Sequence, residues 1–268
     1  MIGQDPLDLN GQIAFVTGAG QGAGRAIALA LARHNAGGVA VNDFVPERAE
    51  AVCKEIEALG VKAFPAPADV SDYDGLKRVM ESAAEALGGP ITLLVNNAGN
   101  AGPSDAIGAS PPFWEAPTSD WGKFFKTNMY GVMNCCHILV PGMIEAGKGR
   151  IVTVVSDAGR VGENRLTAYS AAKGGATSFI RALARETGRY GITSNAISLS
   201  TLEPPMEEPQ KSEFLASEQA KAHVSRYVIR RFGKPDDVAH MALFLCSDAS
   251  SWITGQTYPV NGGYYFSG

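Results

Sequence analysis

Short apolar runs rich in β-branched residues alternate with amphipathic segments along the whole chain. Between these runs, segments rich in Ala, Leu and Glu, such as 46–59 and 72–87, predict helices. Alternating strands and helices are typical of βαβ units, so the pattern predicts an α/β fold with a doubly wound, seven-stranded parallel sheet and helices on both faces. The seven runs that predict strands are 13–16, 39–41, 63–65, 91–95, 151–155, 194–197 and 257–260.

Two irregular stretches interrupt the alternation, near 100–118 and 199–212. Both are rich in loop-forming residues, and the second contains three prolines. Each follows a predicted strand, so both are expected at the sheet edge where the run 151–155 ends, as substrate loops, and the second is a candidate lid. No repeat or long linker divides residues 1–268, which predicts a single domain.

Composition and charge narrow the class of protein. The chain has 45% hydrophobic and 19% charged residues, which is enough apolar material for the core of a soluble enzyme. The net charge of −4, without a basic block, argues against a nucleic-acid partner. No membrane span or leader is visible, and the four cysteines lack C-x-x-C spacing, which predicts free buried thiols and a cytoplasmic location. The four histidines are scattered, so no metal site is expected.

A candidate proton-transfer site combines a phenol, an ammonium and a hydroxyl. Tyr169 and Lys173 are four residues apart on a predicted helix and share one face, while Ser156 closes the strand run 151–155. A free tyrosine titrates near pH 10, roughly, and a neighbouring ammonium is expected to lower that pKa. We predict that Tyr169 is the acid/base and that Ser156 holds the substrate oxygen.

The spacing of Tyr169 and Lys173 has a second copy in the chain. Tyr73 and Lys77 are also four residues apart. Ser156 lies thirteen positions before Tyr169, whereas the residue thirteen positions before Tyr73 is Gly60. We interpret this copy as a chance occurrence on a solvated helix face.

A glycine-rich loop directly follows the first predicted strand and opens a helix. Backbone N–H groups in such a loop can approach a pyrophosphate, which then lies at the positive end of the helix. The alternative is a structural turn, but the position between strand and helix favours a dinucleotide site. The expected contacts are Gly18, Gln21, Gly22 and Ala23.

An acidic residue ends the second predicted strand. Asp43 follows Gly24 by 19 residues, where the dinucleotide fingerprint places a carboxylate on the adenosine ribose. A carboxylate there repels the extra phosphate of NADP, so the sequence predicts NAD, with NADP less favoured. Two alternatives stay open: Asp43 as the N-cap of the helix near Pro46, and Asn42 as the side chain that faces the cofactor.

These features together resemble the short-chain dehydrogenase/reductase family, in its compact single-domain branch with TGxxxGxG and YxxxK motifs. The likeness runs from Leu9 to Gly263 and includes the segment 96–99, Asn128 and the segment 231–239. The resemblance implies a Rossmann fold and a catalytic tetrad of Asn128, Ser156, Tyr169 and Lys173. It also implies that Asn128 holds a water that links Lys173 to solvent.

The resemblance further implies a set of cofactor contacts. Tyr169 and Lys173 would bind the nicotinamide ribose. Asp69 and Val70 would contact the adenine, and Asn97, Ala98 and Gly99 would flank the adenosine ribose.

The segment after the sixth predicted strand departs from the family pattern. The family usually has Pro-Gly followed by a Thr that contacts the nicotinamide, whereas this chain has Leu199-Ser200 and then Pro204. Proline donates no hydrogen bond. The nicotinamide contact is therefore expected from the backbone near Thr201 and Leu202, or from the Thr201 hydroxyl.

The stretch after Ser156 resembles that of family members acting on acyl-CoA thioesters or alicyclic alcohols. Arg160 and Arg165 could meet a phosphate or carboxylate of the substrate, or could pair with Asp157 or Glu163.

The favoured hypothesis is an NAD-dependent oxidoreductase that interconverts a secondary alcohol and a ketone of small-molecule size. The alternative is an NADPH-dependent 3-oxoacyl thioester reductase acting on a CoA or carrier-protein thioester. A catalytically inactive binding protein is a third hypothesis, against which the complete tetrad argues. The resemblance implies a homo-oligomer, tetramer or dimer, for which the apolar segment 129–144 is a candidate contact.

Overall fold

Seven parallel strands form one sheet in the order β3-β2-β1-β4-β5-β6-β7 in the computed structural model, which describes residues 5–100, 111–204 and 206–266. The predicted doubly wound sheet is confirmed. The strand order reverses between β1 and β4, and such a switch point opens a crevice at the carboxyl ends of the strands. The strands are β1 (Ile13–Val16), β2 (Gly38–Asp43), β3 (Ala63–Pro67), β4 (Ile91–Asn96), β5 (Gly149–Ser156), β6 (Ile192–Leu199) and β7 (Thr257–Val260).

Helices cover both faces of the sheet. One core cluster packs α1, α2 and α10 against one face, and the other packs α3, α5 and α7 against the opposite face. All four cysteines are free and buried, as predicted. The helices are α1 (Gly22–Arg33), α2 (Pro46–Glu57), α3 (Tyr73–Leu87), α4 (Trp121–Phe125), α5 (Gly131–Ala146), α6 (Ala158–Val161), α7 (Thr167–Thr187), α8 (Gln210–Ala216), α9 (Glu218–Val224) and α10 (Pro235–Cys246).

The third strand forms despite two prolines. Pro65 and Pro67 lie in β3, which stands at the end of the strand order beside β2 and is therefore an edge strand. Proline is tolerated there because one side of an edge strand needs no ladder hydrogen bonds. The strand is two residues longer than the predicted run 63–65.

The two predicted loops differ from expectation at their ends. Residues 101–110 of the first loop lie outside the described part of the chain, and the remainder contains two 3₁₀ turns, Phe113–Glu115 and Thr118–Asp120. In the second loop, Leu199 still belongs to β6 and α8 begins at Gln210, while residue 205 is not described. The second irregular segment is therefore shorter than 199–212.

A π-helical turn, Lys126–Tyr130, joins α4 to α5. Such turns are rare and are frequent at functional sites. Within the described residues, no helix combines the length and the apolar character that crossing a membrane requires.

Candidate active site

The catalytic candidates lie at the carboxyl end of the sheet. Ser156 is the last residue of β5, and Tyr169 and Lys173 lie on α7. Ser156 lies close enough to Tyr169 to lower the pKa of its phenol, and the Ala158 N–H donates to Ser156 Oγ over 3.2 Å. The ring of Phe124 meets the Tyr169 ring edge-on, with centroids 6.2 Å apart. The structure therefore brings Ser156, Tyr169 and Lys173 into one site, where the sequence places them.

Lys173 is buried behind the phenol. Its Nζ donates to the carbonyl of Val154 over 3.0 Å, and burial lowers the pKa of Lys173 to about 8. A Cβ on Gly99 would lie 3.2 Å from Lys173 Nζ and 3.2 Å from Asn128 Oδ1. Lys173 and Asn128 therefore approach each other beside Gly99, where a larger residue would crowd both.

Asn128 lies in the π-helical turn and is completely buried. Its Oδ1 accepts from Asn100 N (3.1 Å), and its Nδ2 donates to Asn100 O (2.8 Å) and to Phe124 O (2.9 Å). The Asn128 side chain thus ties the chain after β4 to the start of α5. A water-mediated relay from Asn128 to Lys173 stays a prediction.

The pKa of Tyr169 differs in direction from the expectation. Burial raises the pKa of Tyr169 above its ordinary value, and the hydrogen bond with Ser156 lowers it by less. Lys173 Nζ is 5.9 Å from the centroid of the Tyr169 ring and is directed to a backbone carbonyl. Desolvation of the phenolate is the larger cause, so the pKa of Tyr169 is raised and the lowering that the sequence predicted was wrong.

The second Tyr-x-x-x-Lys copy has ordinary structural partners. The hydroxyl of Tyr73 lies 2.7 Å from His137 Nδ1, which links α3 to α5. Lys77 pairs with Glu81 on the same exposed helix face, over 3.9 Å. These contacts support the interpretation that this copy is a chance occurrence.

The glycine loop is fastened to the end of β4. Thr17 Oγ1 accepts the amides of Asn97 and Ala98, both over 2.9 Å, and Asn97 Nδ2 donates to the carbonyls of Thr17 and Gly18. A Cβ on Gly24 would lie 2.1 Å from Gly18 O, so α1 can approach the loop only with glycine there. Sequence reasoning missed the role of the Thr17 hydroxyl, although its position directly after β1 was a usable signal.

The glycine loop keeps its backbone open at the start of α1. Gly18 and Gly22 have φ of +59° and +55°, and the N-cap residue Gln21 makes no side-chain capping bond. The first N–H groups of a helix have no intrahelical acceptor, so those of Gly22 and Ala23 suit an anionic ligand. The cradle fits the pyrophosphate of a dinucleotide.

Asp43 faces the glycine loop. Its Oδ2 accepts from Gly20 N (2.9 Å) and its Oδ1 from Val45 N (3.0 Å). Asn42 is buried with its Nδ2 donating to Ala66 O and Ala68 O, so its side chain serves the sheet edge. Of the two neighbours, Asp43 is therefore the one that faces the glycine loop, and its contact with a ribose stays a prediction.

The predicted adenine contacts follow β3. Asp69 is exposed and its Oδ1 accepts from Ser71 N over 2.8 Å. Val70 is buried, and its carbonyl accepts from Asn134 Nδ2 over 2.9 Å. The backbone here is well fixed, and contact of Asp69 and Val70 with adenine stays a prediction.

The segment after β6 is held by two residues that sequence reasoning did not single out. Ser200 Oγ lies 2.6 Å from Tyr227 OH, which also accepts from Thr201 N over 3.1 Å. Thr201 Oγ1 lies 2.9 Å from His223 Nε2. Both polar groups that Thr201 was expected to offer thus have partners within the chain. The backbone of Leu202, which pairs with Gly233, is the remaining candidate for the nicotinamide contact.

Asp157 and Arg160 have different partners from those that the sequence offered them. Asp157 is buried, its Oδ1 accepting from Ser198 Oγ (2.6 Å) and its Oδ2 from Asn261 Nδ2 (2.7 Å). Asp157 therefore ties β5 to β6 and to the end of β7. Arg160 lies over the ring of Tyr265, 5.7 Å from its centroid, rather than beside Asp157.

Glu163 is the other acid that the sequence offered to the arginines. Its Oε2 accepts from Tyr264 OH over 3.2 Å, and its Oε1 lies 3.8 Å from Arg226. Glu163 thus connects the chain before α7 to the segments after α9 and β7.

Comparisons with known proteins agree with this geometry. A family model described as enoyl-(acyl carrier protein) reductase matches residues 18–265. The chain is 33% identical over 263 residues to the 7α-hydroxysteroid dehydrogenase of Escherichia coli, covering 98% of each chain. It is 35% identical over 259 residues to the 3-oxoacyl-(acyl-carrier-protein) reductase FabG of Thermotoga maritima, covering 96% of this chain and 99% of the other.

A solved structure extends the likeness to three dimensions. The structure of a 7α-hydroxysteroid dehydrogenase complexed with NADH and 7-oxo glycochenodeoxycholic acid superimposes with a TM-score of 0.85, at 32% identity over 98% of both chains. With the match to the family model over residues 18–265, these similarities decide the family. The chain belongs to the short-chain dehydrogenase/reductase family of oxidoreductases.

Proposed function

We propose that this protein is an NAD-dependent oxidoreductase that interconverts a secondary alcohol and a ketone, with Tyr169 as the acid/base. The observation that carries the proposal is the convergence of Ser156, Tyr169 and Lys173 at the carboxyl end of β5. The glycine loop and Asp43 lie at the same edge of the sheet, after β1 and β2.

The residues present fit a nicotinamide dinucleotide. Gly18, Gly22 and the start of α1 would hold its pyrophosphate, and Asp43 would accept the adenosine ribose hydroxyls. A Cβ on Gly20 would lie 2.6 Å from Asp43 Oδ2, so the carboxylate is docked against the loop itself. A phosphate on that ribose would meet this carboxylate, which supports NAD over NADP.

The chain's own residues account for the proton transfer. When bound, the nicotinamide supplies a hydride acceptor or donor. Ser156 Oγ holds the substrate oxygen, and the Tyr169 hydroxyl gives it a proton during reduction or takes one during oxidation. Because burial raises the pKa of Tyr169, its protonated form prevails at neutral pH and serves reduction directly. Oxidation needs the phenolate and is therefore favoured by higher pH.

Lys173 has two roles in this proposal. Its Nζ is anchored at Val154 O and lies beside Gly99 and Asn128. From this position Lys173 would bind the nicotinamide ribose. As a buried cation it also favours the phenolate of Tyr169 once that phenol has lost its proton.

A 3-oxoacyl thioester reductase is the second candidate function. The 35% identity to FabG of Thermotoga maritima and the description of the matching family model favour it. The docked carboxylate of Asp43 argues against NADPH as the cofactor of this second candidate. A catalytically inactive binding protein is disfavoured because all four tetrad residues are present.

Initial rates with NAD and NADP test the proposal, measured with aliphatic, alicyclic and 3-hydroxyacyl thioester alcohols and read as reduced nicotinamide absorbance. The proposal expects turnover with NAD on an aliphatic or alicyclic alcohol. Turnover confined to NADP and the thioester would replace it with the second candidate. Binding of NADH without turnover on any member of the panel would favour the binding protein.

A further inference from the structure

The hydroxyl of Tyr227 is a centre of polar contacts next to the proposed active site. Tyr227 is only 2% exposed, although it lies in the irregular segment that follows α9. Its oxygen lies 2.6 Å from Ser200 Oγ, 3.1 Å from Thr201 N and 3.2 Å from His223 Nε2. One buried phenol therefore holds both residues with which the chain leaves β6.

The segment that Tyr227 holds directly adjoins the catalytic end of the sheet. Ser156 pairs with Leu199 in the β5–β6 register, so Ser200 and Thr201 are the next residues along that edge. A second bond fixes the same segment, since Thr201 Oγ1 lies 2.9 Å from His223 Nε2. Thr201 O in turn accepts from Gly233 N over 3.2 Å.

His223 is itself held in place by aromatic packing. Its ring stacks on Phe232, with centroids 5.5 Å apart, and lies 5.7 Å from the ring of Tyr227. This packing fixes the direction of Nε2 toward Thr201. The pair of Tyr227 and His223 thus forms a rigid support behind the segment 200–201.

The support is connected to the loop that precedes the catalytic helix. The ring of Tyr227 lies 5.3 Å from that of Tyr264, and the Tyr264 hydroxyl donates to Glu163. Glu163 lies between Ser156 and Tyr169 in the chain, and its N–H donates to Ser170 Oγ at the start of α7. The segment after α9 and the start of α7 therefore share one continuous set of contacts.

We infer that Tyr227 and His223 are positioning residues for the nicotinamide end of the cofactor, because they fix the backbone of residues 200–202. This inference rests on the proposed function. Ser200 and Thr201 bring two hydroxyls and an amide to a half-buried place, and an unpaired polar group there is costly. Tyr227 and His223 satisfy these groups and leave the segment in one conformation, which reduces the ordering needed when the cofactor binds.

The test compares Tyr227→Phe with wild type, by titrating NADH and NADPH and by steady-state rates. Loss of the hydroxyl is expected to raise the Kd of the reduced cofactor and the KM of the oxidised one roughly five- to tenfold, because the segment 200–202 loses its hydrogen bonds to Tyr227 and must be ordered when the cofactor binds. The kcat is expected to stay within about twofold, because Tyr169 and Ser156 are not altered. NADH and NADPH should be weakened by the same factor, since the segment lies away from Asp43.

Two further variants separate positioning from general stability. Tyr190→Phe removes another tyrosine hydroxyl, whose contact is with Arg189, and is expected to leave Kd and KM unchanged. In the background of Ser200→Ala, Tyr227→Phe is expected to have a smaller effect, because the shared hydrogen bond is already missing. His223→Gln keeps a polar partner for Thr201 and should weaken binding less than His223→Phe.

The outcomes are distinguishable. If Tyr227→Phe lowers only the melting temperature and leaves Kd and KM at wild-type values, the positioning role is overturned. Equal effects of His223→Gln and His223→Phe on Kd, both at wild-type level, would overturn the part assigned to His223. If the wild-type protein binds neither NADH nor NADPH, the proposed function itself fails.

Discussion

A single carboxylate decides the proposed choice of cofactor. Asp43 accepts from Gly20 N, and the stem of Arg48 lies beside the same glycine. We predict that Asp43→Ser lowers the preference for NAD over NADP at least roughly tenfold, because repulsion of the ribose phosphate is removed and Arg48 becomes available to it. The ratio of kcat/KM for the two cofactors measures this change.

The control for Asp43 is Glu47→Gln, which removes a nearby exposed charge from the first turn of α2. It should leave the cofactor ratio unchanged. A preference for NAD that survives Asp43→Ser undiminished would contradict the role of Asp43.

Burial of Lys173 makes the stability of the protein depend on pH. Burial lowers its pKa from 10.5 to about 8, so the unfolded chain binds more protons than the folded one between these values. The free energy of unfolding is therefore reduced below pH 8, and this loss is recovered as pH rises toward 10.5, by an amount on the order of 3 kcal/mol. Denaturant unfolding of the cofactor-free protein at a series of pH values measures the effect against Lys173→Met.

The difference in stability between wild type and Lys173→Met should rise in favour of wild type across this pH window. For Lys77→Met, which removes an exposed lysine from α3, the difference in stability from wild type should stay constant across this pH window. Parallel pH curves for wild type and Lys173→Met would mean that the Lys173 ammonium carries no burial cost.

The contact between α1 and the glycine loop leaves no room for a side chain at Gly24. A Cβ on Gly24 would lie 2.1 Å from Gly18 O and 2.5 Å from Asn97 Nδ2, so Gly24→Ala must displace the loop. We predict loss of NADH binding by more than roughly tenfold, together with a lower melting temperature. Gly142→Ala in α5 has open space for its Cβ and should be neutral or stabilising by up to about 1 kcal/mol. Wild-type NADH affinity in Gly24→Ala would contradict this account of the loop.

The strands and the glycine loop were predictable because local patterns determine them. Buried parallel strands require apolar runs, and the loop requires glycine where backbone approaches backbone, as at Gly18 and Gly24. The strand β3 was less evident, since whether Pro65 and Pro67 are tolerated depends on its place at the sheet edge. That place is a property of the tertiary fold.

The convergence of the catalytic candidates was predictable for a similar reason, and their environment was not. The spacing of Tyr169 and Lys173 puts them on one helix face whatever the rest of the chain does. The direction of the pKa shift of Tyr169 depends on how far the packed protein excludes water from the phenol. The contacts of Tyr227 with Ser200 and Thr201 join residues more than 25 positions apart, which no local pattern reveals.

Large apolar side chains on the surface of the molecule favour assembly into oligomers. The predicted contact segment 129–144 is apolar, and it leaves Tyr130, Met133 and Ile144 exposed beside its buried face. Trp252 is 99% exposed as well. Exposed apolar groups of this size favour contact between copies, so we predict a dimer or tetramer in sedimentation experiments.

Met133→Glu tests the segment 129–144 directly. A charge on this helix face should shift the sedimenting species toward smaller assemblies, because it would be desolvated in the contact. The control is Leu59→Glu, at an exposed position after α2, which should leave the sedimenting species unchanged. A wild-type protein that sediments only as a monomer would refute the oligomer.

In the proposed function, Tyr169 transfers the proton of an alcohol–ketone reaction. The most direct test is the turnover of Tyr169→Phe beside Tyr73→Phe, with NADH binding measured for both. We predict that Tyr169→Phe loses turnover by several orders of magnitude and binds NADH nearly as well as wild type, because only the acid/base hydroxyl is removed. Tyr73→Phe, which alters the second Tyr-x-x-x-Lys copy, should keep wild-type turnover. Full activity in Tyr169→Phe would contradict the claim.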